Sequence, residues 1–331
     1  VPLAFCLSGG IDSSSLVSIA AKKLNCNFKT FSILDSDERY NEKDNIDATV
    51  NDLNCNHEYI YLSNNNTIDN LKALINYHDA PVATISYFIQ SFLYKEVSSQ
   101  GYKVAISGSG ADELFTGYYD HFLFHLYENR NDKDYDNYLK DWKKNIHGFI
   151  RNPLLKDPQL FMDNPKFRGH IFDSSSLLES YLLNLDKDNF SETFYCKDQL
   201  RNRMLNELFH ETTQLILNED DLNAMFYSIE NRSPYLDYEL FKFAYKIPSK
   251  LLINKGYGKF LLRESMKNIL NDQVRLDRRK KGFNASINTM IDFNDKKTKE
   301  YLLDKDSRIF EFVDKDKIEK LFYLDSIPNH F

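Results

Sequence analysis

Leu3-Ala4-Phe5-Cys6-Leu7-Ser8-Gly9-Gly10-Ile11-Asp12-Ser13 is the stretch that decides the fold of this chain. The first five residues form a short apolar run of the length of a buried strand, and the run stops at Ser-Gly-Gly. From Asp12 to Leu24 the rhythm changes: Leu16, Ile19, Ala20 and Lys23 recur at three- and four-residue steps, so a helix follows the turn. Glycines let a backbone approach an anion closely, and the start of a helix offers unpaired N–H groups and a favourable dipole. Ser8 and Ser13 add hydroxyl donors. No lysine follows the glycines, so this is not the G-x-x-x-x-G-K-[ST] pattern; a pyrophosphate would be held without a P-loop lysine, with Asp12 poised to hold Mg²⁺ against it. A plain tight turn in which Ser or Asp caps the helix is the other reading of these residues.

The alternation continues outward from this stretch. Phe28 to Leu34 reads as a second strand, Asn45 to Leu53 as a helix, Glu58 to Leu62 as a third strand, Ile68 to Ile75 and Phe88 to Val97 as helices, and Val104-Ala105-Ile106 as a fourth strand. Such alternation predicts an α/β fold, a doubly wound parallel sheet with helices on both faces, and ligands in these sheets bind beyond the carboxyl ends of the strands. Two glycine-bearing turns fall at those ends, after Leu7 and after Ile106. Past about Tyr119 the strand signals fade. Leu177, Leu178, Tyr181 and Leu182 have helical spacing, as do Leu236, Leu240, Phe243 and Ala244, and Asn129 to Asp141 reads as a loop or exposed helix. The expected organisation is a nucleotide-binding α/β core over 1–118 and a largely helical, substrate-side region over 119–331.

Composition narrows the class. A net charge of −7 over 331 residues argues against non-specific nucleic-acid binding, which demands a basic face. No apolar run is long enough to span a bilayer, and no stretch of this sequence is expected to act as a signal peptide. Four cysteines, Cys6, Cys26, Cys55 and Cys196, with no C-x-x-C pair, point to reduced thiols and a cytoplasmic location. The sequence opens inside a core strand without an initiator Met, which leads us to expect a fragment whose upstream part is missing.

The second turn, Ser107-Gly108-Ser109-Gly110-Ala111-Asp112-Glu113-Leu114-Phe115-Thr116-Gly117-Tyr118, also follows a strand and opens a helix. Asp112 and Glu113 either share a metal with Asp12 or are solvated acids at a capped helix start. Here the chain resembles the synthetase domain of the asparagine synthetases, whose relatives include β-lactam synthetases and lasso-peptide cyclases. Leu7 to Ser13 is similar to the family's pyrophosphate loop, and Ser107 to Tyr118 to its S-G-x-G-x-D-E-L-x-x-G-Y element. Glu230-Asn231-Arg232-Ser233-Pro234-Tyr235-Leu236-Asp237 resembles its E-x-R-x-P-[FY]-L-D segment. Lys259 to Arg263 resembles the K-x-x-L-R helix, and Lys280-Lys281-Gly282-Phe283 the late K-x-G-F loop. These matches run in order across roughly residues 1 to 290.

The resemblance implies an adenine nucleotide alpha hydrolase-like fold and an ATP-dependent carbon–nitrogen ligase. In such enzymes a carboxylate attacks the α-phosphate of ATP, pyrophosphate leaves, and an amine captures the acyl-adenylate as an amide. It further implies ATP contacts at Leu7, Ser8, Gly9, Gly10, Asp12, Ser13, Ile33, Ser107 and Gly108, with Mg²⁺ on Asp12 and Asp112 and Lys280 stabilising charge on the phosphates. Without the resemblance, Lys280 reads as part of a solvated basic cluster, Arg278 to Lys281. Glu113 is a further candidate for the chemistry. Glu230 and Arg232 either clamp a substrate's amine and carboxylate or form a structural ion pair.

Two departures stand out. Ser109 occupies the position where asparagine synthetases typically carry Glu and β-lactam synthetases Tyr. A carboxylate there can act as general base for ammonia, and serine is a poor base. The expectation is either a different carboxylate or acceptor, or a tolerated variant, or a catalytically silent ATP-binding domain. The family's glutaminase domain, with its N-terminal Cys nucleophile, lies upstream and is not in this sequence; Cys6 is inside a strand and is no candidate. The expected partners are a small-molecule carboxylate, ammonia or another amine, and an upstream glutaminase domain in the full-length protein, with homodimerisation left open. A tRNA-thiolating use of the same fold is disfavoured by the absence of C-x-x-C pairs. His121 and His125 stand four apart, but Phe122 replaces the Glu of H-E-x-x-H, so they are expected to be helix residues near the site mouth and not zinc ligands.

Overall fold

A computed structural model of the chain describes residues 1–172, 179–184, 191–279 and 285–324. Its frame is a parallel sheet of β1 (Leu3–Cys6), β2 (Phe28–Leu34), β3 (Asn56–Tyr61), β4 (Val104–Ile106) and β5 (Glu230–Arg232), in the spatial order β3-β2-β1-β4-β5. The intervening helices are α1 (Ile11–Lys22), α2 (Lys43–Leu53), α3 (Thr67–His78) and α4 (Ile85–Ser99). Strands and helices thus fall close to where the hydrophobic rhythm places them, and the doubly wound α/β fold is as expected.

The uninterrupted apolar run of β1 follows from its central place. Ala4 and Cys6 face α4 with Phe31, Leu93, Tyr94 and Ala105. Phe5 and Leu7 face α1 and α2 with Val17, Ala20 and Ile46. A strand covered by helices on both faces has no polar side to alternate with.

β5 departs from the sequence-based division at residue 118. It pairs in parallel with β4, Val104 opposite Glu230 and Ile106 opposite Arg232, so the later half of the chain supplies an edge of the sheet. Three residues are too few for a period-two pattern to register, and two of them are charged. Leu177 and Leu178 lie outside the described residues. Leu182 does not continue a helix but makes an isolated antiparallel bridge with Val313. Asn129 to Asp141 runs into a helix, Tyr135–Asn145, whose buried residue is Trp142.

One core fills the helical half and another joins the two halves. Phe122, Leu123, Phe124, Leu126, Trp142 and Phe161 centre the helical half. A second cluster joins Ile11, Ala111, Leu114 and Phe115, at the starts of α1 and of α5 (Ala111–Phe115), to Tyr235, Leu262, Met266 and Val274. This second core holds both glycine turns against the later helices. Among the described residues no helix is long and apolar enough to cross a membrane.

Candidate functional site

The chain leaves β1 toward β2 and β3 on one side, then returns to β4 on the other side of β1. The reversal puts the carboxyl ends of β1 and β4 side by side, at the topological switch point where α/β sheets open a crevice. Both glycine turns meet there. Gly108 lies so close to α1 that an added Cβ would sit 3.1 Å from the Asp12 Cβ and from the Ser13 nitrogen.

The first turn is tied internally. The Ser8 N–H donates to Ser13 Oγ at 3.0 Å, and the Gly10 N–H to Ser8 Oγ at 3.3 Å. The Gly9 N–H donates to Glu42 Oε2 at 3.0 Å, and a Cβ on Gly9 would lie 2.9 Å from the Glu42 carbonyl oxygen. These amides brace the turn. Gly10, the N-cap of α1, has no side chain to offer, so the first-turn amides of α1 carry no side-chain cap. Leu7 is buried and its carbonyl accepts from Ser32 Oγ at 2.5 Å. Ile33, next along β2, is half-buried on the α4 face.

The centre of the site is a cation that the motif reading did not assign. Lys259 Nζ lies 2.5 Å from Asp12 Oδ2 and 2.6 Å from Asp112 Oδ1, bridging the two aspartates expected to hold Mg²⁺. The side chain of Lys259 is only 9% exposed. Burial pulls its pKa down, but Asp112 and Asp12 outweigh burial and raise it, so the ammonium stays charged. Burial, with the charge of Asp112, raises Asp12 despite the pull of Lys259. Asp12 Oδ1 is buried and accepts no hydrogen bond among the described residues. The carboxylates of Asp12 and Asp112, with the unsatisfied Asp12 Oδ1, are oxygen donors of the kind a hard divalent cation takes, whereas the Lys259 ammonium now supplies the positive charge between them.

Lys259 is held in place by its backbone. It sits at φ +54°, immediately before the helix Phe260–Ser265, and its N–H donates to Thr116 Oγ1 at 3.1 Å. Thr116 itself lies at φ +75°, ψ +151°, a region β-branched residues avoid. Tyr235, from the R-S-P-Y-L-D segment, donates its hydroxyl to the Asp12 carbonyl at 3.1 Å. The cleft above is lined by Gly9, Gly10, Asp12, Asp112, Lys259 and Arg263, together with Asp277, Arg278 and Arg279.

Other expected residues take varied places. Glu113 is buried and accepts from the Tyr118 hydroxyl at 2.6 Å; burial and the charge of Asp112 push it up to about 7. Ser107 is buried and Ser109 half-buried, their hydroxyl oxygens 3.3 Å apart. Glu230 and Arg232 pair with each other at 2.8 Å, with side chains 59% and 62% exposed. Such a pair is worth at most about 1 kcal/mol, so it is no anchor for the fold. The Arg232 carbonyl nonetheless accepts from the Ser107 N–H at 2.9 Å, which sets β5 beside the second turn.

Lys280 lies outside the described residues. Its flanks are tethered at the site end of the sheet. On one side Asn45 Nδ2 donates to both the Gly9 carbonyl, at 3.0 Å, and Asp277 Oδ2, at 2.9 Å. On the other, Asp35, directly after β2, accepts from the Ser286 N–H at 2.9 Å and the Thr289 hydroxyl at 2.8 Å.

His121 and His125 are not at the site mouth: both are buried, at 0% and 2% exposure. The Gly117 N–H donates to His121 Nδ1 at 3.2 Å, so Nε2 carries the proton and donates to Glu207 at 2.7 Å. Asp120, His121 and Glu207 converge closely enough to recruit a metal. Arg203 Nε already stands 3.1 Å from Glu207 and 3.5 Å from Asp120, and supplies the positive charge.

A doubly wound parallel sheet with paired glycine turns, two aspartates and a buried lysine at its switch point places this chain among the α/β proteins whose strand ends form a crevice at that point. The chain belongs to the asparagine synthase family, whose model matches residues 1–329. It is 30% identical over 304 residues to asparagine synthetase [glutamine-hydrolyzing] 1 of Bacillus subtilis, covering 87% of this chain and 47% of that protein. It is 26% identical over 289 residues to asparagine synthetase [glutamine-hydrolyzing] 3 of the same organism, covering 83% and 44%. It is 22% identical over 324 residues to the amidase chyE of Penicillium rubens, covering 83% and 48%. The chain spans about half the length of the curated relatives it matches.

Proposed function

We propose that this chain joins a carboxylate to an amine at the expense of ATP, through an acyl-adenylate and with release of pyrophosphate and AMP. The observation that carries the reading is the Asp12–Lys259–Asp112 cluster beside the uncapped start of α1. The first-turn amides of α1 would bind phosphoryl oxygens, braced by Ser8, Gly9, Gly10 and Ser13. Leu7, Ile33, Ser107 and Gly108 would line the nucleoside end. Lys259 would stabilise negative charge as pyrophosphate departs, and Lys280, Arg278 and Arg279 would add further positive charge. Asp12 and Asp112 would hold Mg²⁺, which when bound neutralises phosphoryl charge. Glu230 and Arg232, at the edge beside Ser107, would meet the charged ends of the carboxylate substrate.

The glutamine-hydrolysing activity in the names of the relatives supports an ammonia-supplying domain in the longer protein. Ser109, in place of the glutamate expected there, favours a second reading: a carboxylate or acceptor other than aspartate and ammonia.

ATP–pyrophosphate exchange with aspartate, other amino acids and uronic acids tests the proposal. Exchange with at least one carboxylate is expected. ATP binding with no exchange across the panel would leave only a nucleotide-binding role. Asparagine formed from aspartate, ATP and ammonia at an ordinary enzymatic rate would remove the second reading.

Gly117→Ala probes the carboxylate geometry. A Cβ there would fall 1.4 Å from Asp112 Oδ1 and 2.9 Å from Lys259 Cε, so Asp112 must leave its bond. MgATP binding, followed by calorimetry, is expected to weaken about 10- to 100-fold, the ~1.5–3 kcal/mol of one hydrogen bond to a charged group. Unchanged affinity would mean that Asp112 is not a nucleotide-site ligand.

A further inference from the structure

An amine that attacks an acyl-adenylate becomes an ammonium and must lose a proton, yet Ser109 cannot keep one at neutral pH. Behind Ser109 lies a carboxylate that no motif marks. Asp220, on the helix Thr212–Phe226, is 1% exposed. Its Oδ1 accepts from the Gln90 side-chain amide and from the Tyr94 hydroxyl at 3.2 Å. Its Oδ2 accepts from Asn231 Nδ2 at 2.9 Å and from Ser109 Oγ at 3.5 Å. The Gln90 and Asn231 NH₂ groups only donate, and Tyr94 is wholly buried. Among these partners Ser109 is the one that belongs to the second glycine turn, three residues before Asp112. Its hydroxyl lies 3.3 Å from Ser107 Oγ, which in turn lies 3.1 Å from Ser233 Oγ, so a chain of hydroxyls runs from the buried carboxylate through the second turn to the segment after β5.

Resting on the amide-forming reading above, we infer that Asp220 takes up the proton released when the amine is captured, and reaches it through the hydroxyl of Ser109. The amine nitrogen forms its bond to the acyl carbon, and the bond from that carbon to the phosphate oxygen breaks, releasing AMP. The nitrogen's proton passes to Ser109 Oγ as the Ser109 hydroxyl proton passes to Asp220 Oδ2, leaving a neutral carboxylic acid. Asp220 is a positioning residue, since Ser109 alone would touch the amine. Burial pushes Asp220 up to about 7, against the hydrogen bonds from Tyr94, Asn231, Ser109 and Gln90, which places its proton uptake near neutral pH. The titratable groups facing it are Cys6 on β1 and Tyr94 and Tyr87 on α4. All three are raised by burial, with Asp220 adding to the rise, so they stay neutral across its range.

The test compares amide formation with adenylation in the same chain, using ammonium chloride as the amine and the carboxylate that gives the strongest exchange. In Asp220→Asn and in Ser109→Ala the ratio of amide formed to pyrophosphate exchanged should fall about 100-fold or more, the usual worth of a general base. With free ammonia held constant across the pH series, amide formation by the parent should rise with pH through about 7, as Asp220 loses its proton, and this limb should be absent from Asp220→Asn. Adding Ser109→Glu to Asp220→Asn should restore at least a tenth of the ratio, which a purely packing role for Asp220 would not allow. Should Asp220→Asn not fold, Ser109→Ala carries the comparison, since it leaves Asp220 its other three donors. A ratio and a pH limb that survive in the substituted chains would overturn the Asp220 relay while leaving adenylation intact. A parent without exchange on any carboxylate would overturn both readings.

Discussion

Lys259→Met is expected to cut ATP–pyrophosphate exchange by about 10² to 10³, the cost of removing one preorganised charge stabiliser from an active site. The same change should destabilise the chain. Lys259 Nζ lies within 2.6 Å of both Asp12 and Asp112, and without it two carboxylates face each other at the switch point. Breaking a fully buried pair costs about 3–5 kcal/mol. Here 22% and 21% of the two aspartate side chains reach solvent, so roughly 2–3 kcal/mol is the better expectation. Millimolar Mg²⁺ should recover more stability in Lys259→Met than in the parent, because binding to the folded state alone shifts unfolding by mass action. Thermal unfolding with and without MgCl₂ reads this directly. A loss below about 1 kcal/mol with no Mg²⁺ difference would make the cluster an ordinary surface ion pair.

Arg203→Met is expected to be the most destabilising single change outside the site. The Arg203 side chain is 4% exposed and meets four carboxylates: Glu207 at 3.1 Å, Asp120 at 3.5 Å, Glu192 at 2.9 Å and Glu211 at 2.7 Å. Arg168 shares Glu192, and His170 shares Asp120, so the guanidinium is the hub of a buried network. Methionine fills the space but takes away the positive charge that the four acids share, at a cost of about 3–5 kcal/mol. Arg203→Lys keeps the charge and loses the fork, so it should fall between the two. Urea midpoints followed by circular dichroism give the order. Because Glu207 holds His121, and His121 accepts from the Gly117 N–H, the damage should also reach the turn that carries Asp112. A midpoint for Arg203→Met equal to that of the parent would show that the network contributes no net stability.

The two turns were legible because each combines local signals that survive without tertiary context. A buried strand shows as an apolar run, a phosphate-type turn as paired glycines, and a helix as a change of period. Asp12 and Asp112 could be picked out because they sit at fixed offsets from those glycines. Lys259 stood in a recognisable K-x-x-L-R run, but that run reveals a helix start and not the direction of the side chain. Asp220 carried no signal at all, since an acid on a helix is usually solvated and only packing shows this one to be buried. The opposite error applies to His121 and His125, whose spacing invites a surface role that burial removes.

The order of apolar runs, glycines and periods along the chain by itself determined a parallel α/β sheet and the two turns at its strand ends. These depend on interactions within a few residues, which the linear pattern records. The tertiary structure decided which charges meet. Lys259 closes on Asp12 across 247 positions, and Ser109 on Asp220 across 111. β5 joins the sheet from beyond Tyr119. Such pairings are set by how helices pack and by where water is excluded, and only the folded chain specifies either.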